Sequence, residues 1–420
     1  MSGWLVARQN LTTEQVRAVE LSSDQNRIIS GGPGSGKTLV LLHRARELID
    51  KGSVAEGRYF IFVYTKALSQ YIRAALDDLG IPQAAARNYD SWCVDLYKRH
   101  VSQRLPWDTE TKSVDIERVR REVLEKVRSN PGNFHLLDFV LVDEGQDLTA
   151  TVFETLKIVS AHVTVALDQK QRIYEVGAAE PQVCMTLGIR SRSVALLETY
   201  RCCPYISKLA GRFLLDPAER RAFDRQTRTE QGEKERPLLY RAAGHEDEKV
   251  RLAAIARARL ARGERVAILL PSRRLVYGLA EGLHEMGIPV EVPRRRGGNP
   301  GDLLELDFAS DLIKVMPYHS AKGLTFDSVL LPRLNSCEFR QVDPGTLLRL
   351  LFVGITRATI WVYLSAWAGQ ELGLLAQLGL LRTMDDLIVQ DAGDADRTPA
   401  PAGLPATPPA EDEDGLTDWL

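Results

Sequence analysis

The residues best equipped for chemistry are a lysine and a threonine that close a run of glycines. Ile28 to Thr38 reads IISGGPGSGKT, in which Gly31, Gly36, Lys37 and Thr38 fit the spacing G-x-x-x-x-G-K-[ST]. Gly31, Gly32, Gly34 and Gly36 let the backbone take positive φ, so that successive N–H groups, those of Gly34, Ser35 and Gly36 among them, converge on a phosphate. Lys37 would neutralise the β- and γ-phosphates of a nucleoside triphosphate, and the Thr38 hydroxyl would ligate Mg²⁺. A second constellation follows the apolar run Phe139 to Val142: Asp143-Glu144-Gly145-Gln146-Asp147. An acidic pair at the end of a buried strand suits two roles. Asp143 would serve as a carboxylate toward Mg²⁺, and Glu144 as the base that orients an attacking water.

Both motifs need a parallel sheet to hold them. Ile28-Ile29 reads as a strand and Leu39 to Ile49 as the helix whose N-terminus faces the phosphates. Arg58 to Tyr64 (RYFIFVY) reads as a second buried strand, followed by a helix from Ala67 to Leu79. Repeated strand–loop–helix units predict an α/β, doubly wound fold. Between Ser91 and Ser129 the pattern turns helical and charged, with Trp92, Leu96 and Tyr97 on one side and Val119, Val123 and Val127 on another. We expect a small helical insertion there, about residues 90–136. Further on, Pro237 to Tyr240, Val266 to Leu270, Pro289 to Val292, Ile313 to Met316, Ser328 to Leu331 and Ile360 to Leu364 read as strands. Helices Glu246 to Ala261 and Arg273 to Met286 alternate with them, which predicts a second α/β domain.

A chain of 420 residues has room for two such domains, and 44% hydrophobic with 26% charged residues is a globular composition. No run of eighteen or more apolar residues occurs, the N-terminus lacks a signal-peptide pattern, and the five cysteines show no metal-ligand spacing. These features predict a cytoplasmic protein with reduced thiols and no membrane partner. The formal charge of −2 conceals an asymmetry: residues 391–420 hold eight acids against Arg397 alone, which leaves a body of +5. That body permits a polyanionic partner.

With these motifs in order, the chain resembles the superfamily 1 DNA helicases of the UvrD/Rep type, whose D-E-x-Q-D signature it carries at Asp143 to Asp147. Gln15 in LTTEQVRAVEL matches the family's adenine-reading glutamine, although Thr12 and Gln15 also stand in capping-box spacing. Tyr64-Thr65 matches motif Ia, VALDQKQRIY with Asp168 and Gln171 resembles motif III, and LETYRC places Tyr200 and Arg201 at motif IV. YHSAKGLTF (Tyr318 to Phe326) resembles motif V, and RLLFVGITRA (Arg349 to Ala358) resembles motif VI, with Arg357 at the arginine-finger position.

The resemblance implies two RecA-like domains, 1–198 and 199–390, with ATP and Mg²⁺ between them, followed by an acidic tail over 391–420. It implies Glu144, Gln171, Arg201 and Arg357 as catalytic residues and Tyr200 and Gly323 toward the nucleotide. Single-stranded DNA would meet Tyr64, Thr65 and His319, with movement 3′ to 5′; Tyr89 and Tyr174 are further candidates to line its channel, and each of the three tyrosines could equally be core. The implied function is an ATP-dependent translocase or helicase. The alternative is a DNA-regulated switch ATPase within a larger repair or defence complex.

The sequence also departs from the family pattern. Pro293 to Asp311 occupies the place of a second helical insertion and is too short to form one. Leu39 replaces an adenine-stacking Arg, Thr325 a ribose-binding Glu, Pro317 a phosphate-binding Thr, and Val176 a base-stacking Trp. The tail ends EDEDGLTDWL, where Leu416, Trp419 and Leu420 stand beside four consecutive acids: this suits a solubilising acidic tail, a docking peptide for a nuclease or other protein partner, or a polyanion that folds back on the chain's own DNA channel.

Overall fold

The computed structural model describes residues 5–32, 34–63, 66–109, 113–168, 177–189, 194–196, 203–226, 235–295, 304–308 and 310–394. Tyr64, Thr65, Gln171, Tyr174, Val176, Tyr200, Arg201 and the tail beyond residue 394 lie outside them.

The first domain opens with helix α1 (Thr13–Val19), strand β1 (Arg27–Gly31), α2 (Lys37–Gly52), β2 (Tyr59–Val63), α3 (Lys66–Leu76), β3 (Ala86–Asn88) and α4 (Tyr89–His100). A hairpin of β4 (Trp107–Asp108) and β5 (Ser113–Val114) leads to α5 (Ile116–Ser129), β6 (Phe139–Val142), α6 (Ala150–Val159), β7 (Val163–Leu167), α7 (Glu180–Leu187) and β8 (Val194–Leu196). The sheet runs β3-β2-β6-β7-β1-β8, with every described pairing parallel. β6 and β7 are buried at every position, as strands covered on both faces must be. The helical stretch expected as an insertion closes onto this sheet. Trp92, Leu96 and Tyr97 of α4 meet Val119, Val123 and Val127 of α5 in one core with Phe62, Val140 and Val142.

The second domain comprises α8 (Pro204–Gly211), α9 (Pro217–Gln226), β9 (Leu238–Ala242), α10 (His245–Ala261), β10 (Val266–Leu270), α11 (Arg273–Glu285) and β11 (Val290–Glu291). A short pair, β12 (Arg294–Arg295) and β13 (Leu304–Glu305), stands where a large insertion would enter. Then come β14 (Ile313–Pro317), β15 (Phe326–Leu331), α12 (Pro344–Ile355), β16 (Ala358–Trp367), α13 (Gly373–Gln377) and β17 (Ile388–Asp391). Its sheet, β11-β14-β10-β15-β16-β9-β17, is again parallel. Asp391, the first residue of the expected acidic tail, ends β17 and pairs with Arg241 at 3.0 Å. The two domains are RecA-like, doubly wound units.

The domains touch through α3. Leu306 N–H donates to Gln70 Oε1 at 2.9 Å, and the rings of Tyr71 and Phe308 meet edge to face at 5.5 Å. Among the described residues no helix is long and apolar enough to cross a membrane.

Candidate functional site between the domains

Three neighbouring strands of the first sheet, β6, β7 and β1, carry the chemistry at their C-terminal ends. Asp143 follows β6, Asp168 follows β7, and the glycine loop follows β1, so adjacency in the sheet brings together residues distant in sequence. Open parallel sheets place their ligands at this edge.

The loop's glycines are explained locally. Gly36 caps α2 with φ of 85°, and a Cβ there would stand 2.5 Å from Gln15 Nε2. Gln15 reaches that point because α1 begins with a complete capping box. Thr12 Oγ1 accepts from Gln15 N–H, and Gln15 Oε1 accepts from Thr12 N–H at 3.1 Å. Its Nε2 donates to the Ser35 carbonyl at 3.1 Å, which fastens α1 to the loop. Each end of the amide keeps capacity for one further hydrogen bond. The capping role and the expected place beside the nucleotide loop therefore coexist in one side chain.

Lys37 is buried, and its Nζ donates to Gly31 O (3.0 Å), Gly32 O (2.9 Å) and Asp168 Oδ2 (3.2 Å). Thr38 Oγ1 donates to Asp143 Oδ2 at 2.6 Å, joining the glycine loop to the acidic strand end. Asp143 is fully buried, and burial together with the neighbouring Glu144 pushes its carboxyl up to about 6. A hydroxyl and a carboxylate so placed form a hard-oxygen donor set that suits Mg²⁺.

Glu144 stands in the left-handed region, at φ 53°, which is uncommon for a residue with a side chain. Its backbone N–H donates to Asp143 Oδ1 at 3.0 Å. Gln146 Nε2 donates to Glu144 Oε2, while Gln146 Oε1 accepts from the Asp168 N–H at 2.9 Å. Burial disfavours the ionised carboxylate of Glu144. Lys322, Lys37 and Arg357 outweigh that cost and hold the carboxyl below its usual range.

The second domain supplies the opposite wall. Lys322, in the turn after β14, is 2% exposed; its Nζ lies 2.6 Å from Asp147 Oδ2 and 3.7 Å from Glu144 Oε2. Gly323 has φ of 80°, and a Cβ there would stand 2.7 Å from Leu68 Cδ2 of α3, so its described neighbour is the first domain. Arg357 is buried just before β16. It donates from Nε to Val353 O (3.0 Å), from Nη1 to Leu324 O (3.4 Å) and from Nη2 to Thr356 Oγ1 (3.2 Å).

The expected DNA residues fare differently. Tyr89 is 1% exposed, set edge to face on Phe62 at 5.5 Å and beside Trp92. It is a core residue, which corrects the expectation that it lines a DNA channel: its aromatic character serves packing. His319 is half-buried in the turn before Lys322, and burial, aided by Arg273, holds its imidazole below the ordinary range. The sequence assigns no role to Lys322 or to Asp147, although Asp147 closes the D-E-x-Q-D signature. The place of Lys322 beside Gly323 in YHSAKGLTF was the available signal.

A glycine loop and acidic strand end on one RecA-like domain, with a second such domain facing them, define a P-loop fold of two RecA-like units. Residues 11–130 match the family model described as the UvrD/REP helicase N-terminal domain, and residues 312–365 match the one described as a UvrD-like helicase C-terminal domain. The two matches fall one in each of the RecA-like domains. A solved structure described as the C-terminal domain of a possible DNA helicase from Lactobacillus plantarum WCFS1 is similar at 19% identity and a TM-score of 0.33, over 46% of this chain and 98% of that one. No curated protein matches the chain.

Proposed function

We propose that this chain hydrolyses ATP in the cleft between its RecA-like domains and uses the cycle to move along single-stranded DNA, 3′ to 5′. The observation that carries this reading is the 2.6 Å contact between Thr38 and Asp143, with Glu144 next in the chain and Lys322 of the other domain beside it. Thr38 and Asp143 would hold Mg²⁺, which when bound supplies positive charge to the phosphate oxygens. Lys37, released from the Gly31 and Gly32 carbonyls, would pair with the phosphates, while Gly34, Ser35 and Gly36 would present N–H groups. Gln15 would use its remaining donor and acceptor toward adenine.

Glu144 would act as the base: held ionised and bonded to Gln146, it can accept a proton from an attacking water. Arg357 would approach as the domains close and stabilise charge on the transferring phosphoryl group. Gln171, Tyr200 and Arg201 are assigned γ-phosphate sensing, base stacking and a second arginine contact by sequence resemblance alone. Tyr64, Thr65, Tyr174 and His319 remain the proposed DNA contacts.

The test is steady-state ATPase activity with and without a single-stranded oligonucleotide, across a range of salt. Stimulation that fades steeply as salt rises is the expected result, because phosphate contacts release counterions. Hydrolysis that no single strand stimulates would replace the motor reading with that of a switch ATPase.

A further inference from the structure

The glycine loop and acidic strand end explain how one domain could bind a nucleotide. They leave unexplained why a lysine of the other domain is sealed among their carboxylates. Lys322 crosses the cleft to Asp147, 2.6 Å away, and lies 3.7 Å from Glu144. Asp147 is 5% exposed, and burial pushes its carboxyl up to about 7 against the pull of Lys322. Its other oxygen, Oδ1, is buried without a hydrogen-bond partner among the described residues, so Asp147 rests on Lys322 to offset its burial.

The same ammonium belongs to a longer polar chain. Glu144 accepts from Gln146, which accepts from the Asp168 N–H, and the Asp168 carboxylate meets Lys37. Glu144 stands at φ 53°, a conformation that costs free energy and persists where its surroundings enforce it. Within the first domain, Asp143 and Gln146 provide that enforcement. Across the cleft, Lys322 is the cation nearest its carboxylate in the described contacts.

We propose that Lys322 is a positioning residue that couples domain approach to hydrolysis: carried by the second domain and anchored on Asp147, it holds the Glu144 carboxylate in place when the two domains are together. The inference rests on the reading of Glu144 as the base. When the domains separate, Lys322 leaves with its own domain, and Glu144 then loses its nearest opposite charge while the glycine loop keeps all of its groups. Nucleotide binding and hydrolysis therefore depend on Lys322 unequally. Gly323, adjacent and packed on Leu68, sets how closely the turn that carries Lys322 can approach.

The experiment uses the full chain and four variants: Lys322→Met, Lys322→Arg, Glu144→Gln, and Glu144→Gln combined with Lys322→Met. Steady-state kcat and KM for ATP are measured together with the affinity for a fluorescent ATP analogue and the melting temperature. Lys322→Met should lower kcat by about tenfold or more, the effect of removing an opposite charge a few ångströms from a functional carboxylate. KM and analogue affinity should change by less than about threefold, and Lys322→Arg should recover part of kcat, because it restores the charge. The double variant should be no slower than Glu144→Gln, since both changes act through one carboxylate.

A Lys322→Met enzyme with wild-type kcat, beside an inactive Glu144→Gln, would overturn the inference and leave the proposed function standing. A loss spread equally over kcat and affinity, with a lowered melting temperature and no recovery in Lys322→Arg, would assign Lys322 to simple adhesion between the domains and likewise overturn it. Full activity in Glu144→Gln would instead remove the reading on which the inference depends.

Discussion

The first domain meets the cleft with the C-terminal ends of β6, β7 and β1, whereas the second meets it with the residues that lead into β15 and β16. On the first side the polar groups are largely engaged with one another: Thr38 with Asp143, Lys37 with Asp168, Gln146 with Glu144. On the second side two cations behave differently. Lys322 reaches across to Asp147, while Arg357 donates to Val353 O and Leu324 O of its own domain. The polar groups of the site are thus divided between the domains, most of them on the first.

Arg357→Ala offers the largest way to break that comparison. If Arg357 acts on the transferring phosphoryl group, turnover should fall by about 10³–10⁵ with ATP affinity little changed. Single-turnover hydrolysis and equilibrium binding on the same preparation would check it. A small effect on turnover would mean that its hydrogen bonds to its own domain are its whole role. Next in size is the loss of about tenfold expected for Lys322→Met.

Gly323→Ala sharpens the geometry rather than the charge. A residue with a Cβ at φ 80° costs about 1–2 kcal/mol, and here the methyl would also press on Leu68. The variant should melt at a lower temperature and turn over more slowly, with Leu68→Ala relieving part of the turnover loss. Failure of Leu68→Ala to relieve any of it would show that the strain is confined to the turn.

The last prediction lies within the first domain, away from the cleft. His162 is buried against Arg44, and burial holds its imidazole down at about 3, against about 6.5 in the unfolded chain. Between those values the unfolded state binds more protons, so this group makes stability fall as pH drops from about 6.5, by roughly 1.4 kcal/mol per pH unit once the unfolded imidazole is charged. Comparing the wild type with His162→Gln in denaturant titrations at pH 7 and pH 5 isolates the term, because other titrating groups cancel in the difference. Parallel stability curves would contradict the assignment.

Much of the first half of the site could be read from sequence because its signals are local. Glycine spacing fixes the loop, and a run of four apolar residues ending in two acids fixes the strand end. Elements with little local signal were missed. β3 is Ala86–Asn88, three residues with no β-branched member, and it forms only because β2 offers an edge. Tyr89 is open to either place in sequence, since an aromatic after a strand looks the same whether it packs or protrudes; Phe62 of β2 decides the matter, together with Trp92 one turn along the same helix. The pairing of Lys322 with Asp147 spans 175 positions, and no periodicity reports a contact of that kind. The residues that enter the cleft from the second domain were thus legible as a motif and not as partners.

The most direct measurement of the central claim is single-turnover ATP hydrolysis by Glu144→Gln, with ATP and Mg²⁺ binding followed in parallel. The substitution keeps the shape of the side chain and removes its basicity. The account predicts binding close to that of the wild type and hydrolysis slower by about 10²–10⁴. Hydrolysis at the wild-type rate would contradict it.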